Sequence, residues 1–440
     1  MKKMVLAVSL NILAVGLVFI SYQKARAIPA FARKYQTSCL TCHAPFPRLT
    51  SVGEAFRLNG YKLPDDELYT KDKPVSMGAE AYKRMFPEAV WPSDIPGMPP
   101  IALYIESAIT NNFDGPNDKK TTFDLPSVAH LLGAGSMGDK VSFFAELEVD
   151  NAEDSTAANA WLMYQGLMSG LIGDNHLNLK VGTIGNQEIG LPNARNDNKI
   201  STEDYLYQTA LNLDSYPGVE LNGFGHIWRY AVGIVDSGDT NQDDKGYYAA
   251  FSLKFGGVGY DGSGGGAASQ GAIVSSPTGY WRDNSVHIGV FAYRSYVDNP
   301  GALPVALEAK EYDRIGGDVR WNYADFSLVG GYTYAKDKSQ TLGETSPPEQ
   351  KIWFGEADYF IFPWMIGYLR YETMDVSHSD NSVAEYSDRS RFLPGVIFLA
   401  RANIKVTLEG EFYTEDKYAE TAGEGSDFYN KCSLAFNWAF

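Results

Sequence analysis

From about residue 100 to the C-terminus the chain alternates apolar and polar residues with a period of two, the spacing of strands that face two different environments. In "NKCSLAFNWAF", Cys432, Leu434, Phe436, Trp438 and Phe440 share one face, and Lys431, Ser433, Ala435 and Asn437 the other. "IKVTLEGEF" sets Ile404, Val406, Leu408 and Phe412 against Lys405, Thr407, Glu409 and Glu411. "VSFFAELEV" sets Val141, Phe143, Ala145, Leu147 and Val149 against Ser142, Glu146 and Glu148. The pattern predicts about sixteen strands. They fall near residues 100–113, 123–137, 140–151, 158–170, 176–186, 218–227, 228–238, 245–259, 285–298, 311–323, 326–336, 351–362, 364–376, 389–400, 402–415 and 427–440.

A soluble sandwich alternates as well, so the connections decide. "MGDK", "HIWR", "NYADF", "FPW" and "ARAN" are tight, whereas "DGPNDKKTT", "DSGDTNQDDK", "KDKSQTLGETSPPEQ", "VSHSDNSVAEYSD" and "EDKYAETAGEGS" are long and polar. Short turns alternating with long loops predict a transmembrane antiparallel β-barrel, with one apolar face toward lipid and a polar face toward the lumen. Two stretches depart from the scheme. Residues 260–284 fall where a short turn belongs, and residues 187–217 are long enough to fold into the lumen as a constriction or plug.

The first residues, "MKKMVLAVSLNILAVGLVFISYQKARA", combine two lysines, an apolar run and a small-x-small site at Ala25 and Ala27, and predict a signal peptide over residues 1–27. A retained membrane anchor is the alternative, because the run is nearly long enough to span. Removing those residues takes away four basic side chains and no acidic one, so the formal charge moves from −17 to −21. That balance excludes a nucleic-acid partner. The 28 tyrosines and 43 glycines suit strands and tight turns. Three cysteines are too few for a disulfide scaffold.

Two of the three stand in "TSCLTCHAPFPRL". Cys39, Cys42 and His43 form C-x-x-C-H, the attachment signature of c-type haem: two thiols close thioether bonds to the porphyrin and the adjacent histidine binds the iron. A thioredoxin-like pair would want a βαβ context and structural zinc would want four ligands, and residues 28–98 offer neither. "FARKY" and "SVGEAFRLNGY" predict short flanking helices, with Gly60 closing the second and Val52, Phe56 and Leu58 placed to cover a porphyrin. "WPSDIPGMPP" is a stiff linker into the first strand. The expected organisation is a signal peptide over 1–27, a small helical c-type cytochrome domain with its Pro-rich linker over 28–98, and the barrel over 99–440. The second axial ligand is open among Met98, Met77, Met85 and His130 on the second strand; His176, His226, His287 and His378 read as ordinary strand or loop residues.

A signal peptide, then "FARKYQTSCLTCHAPFPRLTSVGEAFRLNGY", then an alternating chain ending in phenylalanine resembles the fused monohaem cytochrome–porin family of outer-membrane electron-transfer proteins. The resemblance implies one covalent haem c on Cys39, Cys42 and His43. It further implies electron flow from an extracellular donor, Fe(II) among them, to periplasmic cytochromes or other carriers, with the cytochrome domain on the periplasmic side or inside the lumen of a barrel set in outer-membrane lipid. Residues 28–100 are nearly neutral, so the barrel holds almost all the negative charge; its acids would concentrate cations at the mouth or simply keep the loops solvated. A second reading therefore stays open: a porin-like channel for cations or small solutes with a haem-bearing plug. A soluble periplasmic cytochrome with a β-rich domain is the third.

Overall fold

The computed structural model describes residues 30–35, 37–63, 84–85, 100–113, 120–151, 155–195, 199–210, 215–236, 245–264, 279, 281–297, 310–337, 349–377, 387–416 and 430–439. The expected signal peptide, most of the linker with Met77 and Met98, and Phe440 lie outside the described residues.

The sixteen expected strands form, and they close into one barrel in which each strand is antiparallel to its neighbours. In chain order they are β1 (Ile101–Asn112), β2 (Thr121–Met137), β3 (Val141–Asp150), β4 (Ser155–Tyr164), β5 (Asn178–Ile184), β6 (Tyr216–Phe224), β7 (Trp228–Asp236) and β8 (Lys245–Phe255). The second half runs β9 (Ser285–Val297), β10 (Lys310–Tyr323), β11 (Phe326–Asp337), β12 (Glu349–Phe362), β13 (Met365–Ser377), β14 (Arg389–Arg401), β15 (Ile404–Asp416) and β16 (Lys431–Ala439). β1 pairs with β16 and seals the ring, leaving no edge strand. β4 stops at Tyr164, short of the expected end near 170. Gly166, at φ 66°, turns the chain away there, and its N–H donates to Asn178 Oδ1 at 2.9 Å.

The wall is inverted relative to a water-soluble protein. Leu147, Val290, Val319, Leu369 and Phe392 point outward and stay exposed, while Lys254, Asp358, Arg370 and Glu372 point inward and are buried. An exposed apolar exterior with charged side chains inside matches hydrocarbon outside the ring. Tyr164, Tyr323, Phe362, Trp364 and Trp438, all exposed near the short-turn end, form the aromatic girdle expected at a membrane interface.

The lumen is filled by two segments. The first is residues 30–63, with helices α1 (Ala30–Tyr35) and α2 (Ser51–Leu58). The second lies in the link between β5 and β6, as its length suggests, and carries α4 (Asn186–Ile189) and α5 (Leu206–Ala210); a further short helix, α3 (Ser169–Ile172), lies between β4 and β5. Ile189, Leu191, Ala194, Tyr205, Leu206 and Tyr207 form a buried apolar cluster with inward residues such as Phe291, Val329 and Phe354. Polar bonds pin the same segment to the wall: Thr202 and Glu203 donate backbone N–H groups to Glu409 at 3.1 and 3.0 Å, and Arg370 reaches Ser201 Oγ at 2.6 Å. The described part of the 256–284 link folds back near the same end, where Trp281 stacks on Phe360 at 4.7 Å.

The acids expected to give the lumen a cation-attracting field do face inward, and the buried ones are matched by cations. Among the described strand residues that are buried, nine are Lys or Arg and seven are Asp or Glu. Glu411, for instance, pairs with Arg391 at 2.7 Å and Lys431 at 2.9 Å.

Candidate functional site

Cys39, Cys42 and His43 issue from one turn. Ser38 Oγ accepts from Leu40 N at 3.2 Å and starts a 3-10 turn over Cys39–Thr41, and His43 N donates to Cys39 O at 2.9 Å. α2 backs this turn closely. Its N-cap, Thr50, accepts from Gly53 N at 3.1 Å and donates its hydroxyl to Thr41 O at 2.8 Å, while its own N–H donates to Cys42 O at 2.9 Å. A Cβ on Gly53 would stand 2.0 Å from Cys42 O, so only glycine allows the approach. Behind the turn, Tyr35, Phe56 and Leu63 form a small core flanked by Phe31, Tyr61 and Cys42. Phe56 packs edge-on against Phe31 at 5.0 Å and Tyr35 at 5.8 Å.

His43 Nδ1 lies 3.0 Å from Pro47 O. A carbonyl only accepts, so Nδ1 carries the proton and Nε2 keeps its lone pair. Burial lowers the His43 pKa to about 4, which leaves the ring neutral at physiological pH. Burial also pushes Cys39 up to about 11 and Cys42 up to about 12, and the two thiols are not joined to each other. Two free thiols and a neutral imidazole with Nε2 available are the donor set a thioether-linked haem with an axial histidine requires. Among the described residues no further Cys, His, Asp or Glu gathers with them, so a tetrahedral zinc site is incomplete.

The turn lies inside the barrel. Arg48 forms an ion pair with Asp358 of β12 and donates to Ser327 Oγ of β11 at 2.6 Å. Glu54 accepts from Arg229 of β7 at 2.6 Å, and Ser51 from Lys254 of β8 at 2.9 Å. Tyr61 stacks toward Trp161 of β4 at 6.0 Å. Leu40 packs beside Ala44 in a cluster with Ile200, Phe360, Ile366, Tyr368, Ile397 and Trp281. Burial pushes the Glu54 carboxyl upward, but the surrounding cations, Arg229 foremost, outweigh it and hold the group well below the usual carboxylate range.

A row of rings leads away from His43. Its ring is 4.6 Å from Phe46, Phe46 is 4.6 Å from Tyr104 of β1, and Tyr104 is 5.3 Å from His130 of β2. His130, one of the open candidates for the second axial position, thus faces the lumen, and Glu146 and Glu148 flank its Nδ1 at 3.0 and 3.4 Å. Of the other candidates for the second axial position, Met85 is 71% exposed, and Met77 and Met98 lie outside the described residues.

No protein-family model matches the chain, and no curated protein matches it in sequence. Among solved structures it is similar to Salmonella typhi OmpF, solved in complex with daunomycin, at 11% identity over 77% of this chain and 97% of that chain, with a TM-score of 0.51. It is similar as well to OmpT, an outer membrane protein of Vibrio cholerae, in its trimer form, at 11% identity over 77% and 98% of the two chains, with a TM-score of 0.50. The fold is a porin fold. At this level of identity the likeness speaks for architecture alone. The residues that seat residues 30–63 in the porin lumen, Arg48, Glu54 and Phe46, carry no sequence signal of their own, because each is defined by a partner far along the chain.

Proposed function

We propose that this porin-type barrel carries one haem c, joined to Cys39 and Cys42 with His43 Nε2 as an iron ligand, and serves electron transfer across the outer membrane. The observation that carries the reading is the His43–Pro47 contact at 3.0 Å beside two free thiols on one turn. When bound, the haem iron supplies one-electron redox chemistry. This chain's residues hold the site in place: Thr50 and Gly53 fix the turn, Pro47 fixes the tautomer, and Leu40 and Ala44 exclude water on the barrel side. The resemblance of residues 31–61 to fused cytochrome–porins supports a donor outside, Fe(II) among them, and periplasmic carriers as acceptors. Seating the turn inside the wall shortens the distance an electron has to cross, since a bilayer core of about 30 Å separates the two sides.

Covalent attachment is the direct test. After acid-acetone extraction the pyridine haemochrome should stay with the protein, and Cys39→Ala or Cys42→Ala should lose it or leave a single unstable linkage. Colour that extracts fully into the solvent overturns the reading.

The porin fold supports a second reading, a channel for cations or small solutes in which residues 30–63 act as a plug. The two part on donor-driven reduction: Fe(II) added to intact cells should reduce the haem in stopped-flow if the conduit operates, and should leave it unchanged in a channel.

A further inference from the structure

β1, β2 and β3 bring a second set of metal donors together in the lumen, apart from the Cys39–His43 turn. Strand alternation puts Glu146 and Glu148 on the inward face of β3, and the β2–β3 register sets His130 directly opposite Glu148. The β1–β2 register sets Tyr104 opposite His130, and Glu106 lies two residues along the same face of β1. The result is one imidazole among three carboxylates: Nδ1 is 3.0 Å from Glu146 Oε1 and 3.4 Å from Glu148 Oε2, and Nε2 is 3.8 Å from Glu106 Oε1. Donor atoms of His130, Glu146 and Glu148 all lie within 4.8 Å of one another. Two ligands each about 2.1 Å from one metal, at right angles, stand about 3 Å apart, so the spacing already approaches that of a coordination sphere.

Charge and an unmatched oxygen point the same way. Three carboxylates face one histidine, and the nearest basic side chain by register is Lys405, which lies opposite Asn437 as Asn437 lies opposite Glu106. A protonated His130 together with Lys405 leaves one negative charge over, whereas a neutral His130 with a divalent cation leaves none. Asn437, 6% exposed, donates Nδ2 to the Tyr104 hydroxyl at 2.8 Å, and its Oδ1 is buried with no hydrogen-bond partner beside Glu106. Asn437 lies across from Glu106 in register, so this unpaired acceptor borders the cluster.

We infer that His130, Glu146 and Glu148, with Glu106 as a further carboxylate, form a binding site for a divalent first-row transition-metal cation on the lumen wall. A mixed imidazole and carboxylate set selects such ions over calcium, which prefers oxygen alone. The site uses only the barrel wall; it shares His130 with the open second axial position of the haem reading, and that imidazole can serve only one of the two.

The test uses the full chain in detergent, titrated with Mn(II) and followed by the loss of the free-ion electron paramagnetic resonance signal. One Mn(II) per chain is expected, with electron spin-echo modulation from a directly bound imidazole nitrogen. His130→Ala and the double variant Glu146→Gln/Glu148→Gln should each weaken binding more than about tenfold. Asp236→Asn, at a partly exposed acid paired with Lys245 at the far end of β7, should bind as the native chain does. Absence of uptake, absence of nitrogen modulation in the bound ion, or equal binding by the site variants overturns the inference and leaves the cluster an imidazolium–carboxylate ion pair.

Discussion

Glu54 of α2 and Arg229 of β7 form an ion pair at 2.6 Å, with both side chains buried, and so tie the N-terminal segment to the wall of the barrel 175 residues away in sequence. Arg48 does the same with Asp358. A buried pair is costly to break because the surviving charge has no water to turn to.

Arg48→Ala leaves Asp358 buried without its cation, a loss of about 3–5 kcal/mol in seating the segment. Single-channel recordings in planar bilayers should then show openings that the native chain lacks. Equal conductance in the two chains would mean that residues 30–63 do not block the lumen.

Gly53→Ala places a methyl group where Cys42 O already stands, at 2.0 Å. The turn and α2 must then separate; under the proposed haem attachment, the haem retained per chain after extraction should fall severalfold while the barrel keeps its heat-modifiable gel mobility. Gly170→Ala, with nothing within 4 Å of the new atom, serves as the control and should retain a native content.

The depressed Glu54 carboxyl sets a pH dependence with a definite sign. A group whose folded pKa is lowered gives its full stabilisation above the ordinary carboxylate value and loses it only as pH falls through the folded value. Protease protection of residues 30–63 in the folded protein should therefore hold from pH 7 down to about 4, where a free glutamate titrates, and fail only in stronger acid. Loss of protection between pH 6 and 5 would show that another group controls docking.

Val290 lies midway along β9 with its side chain exposed on the outer face. Val290→Arg should destabilise the barrel by about 2–4 kcal/mol in lipid vesicles, the cost of an arginine near the bilayer midplane. Urea titration read by heat-modifiable mobility measures it; an unchanged midpoint would place this face in water.

The strands were legible because their period is local: a lipid face and a lumen face leave a mark every second residue, as at Leu408 against Glu409. Long-range docking was not. Nothing near Arg48 announces Asp358, which follows it by 310 residues, and nothing near His130 announces Glu146 until the β2–β3 register is known. The C-x-x-C-H turn stood out since its chemistry needs a fixed spacing, yet the contact of His43 with Pro47 appears only once the chain bends back. Charge pairing was hidden for the same reason: Glu409 and Glu411 are answered by partners from other segments in space.

One apolar cluster joins Ala44 from the start of the chain, Ile200 from its middle, and Ile366 and Ile397 from its last quarter, with Leu40 and Trp281 against it. Such a cluster is complete only when the N-terminal segment and the β5–β6 link have both met the wall at β12, β13 and β14. Seating the N-terminal segment therefore depends on strands from the far end of the chain. An enzyme that is to work on Cys39 or Cys42 has its freest access to them before the segment is seated against those strands.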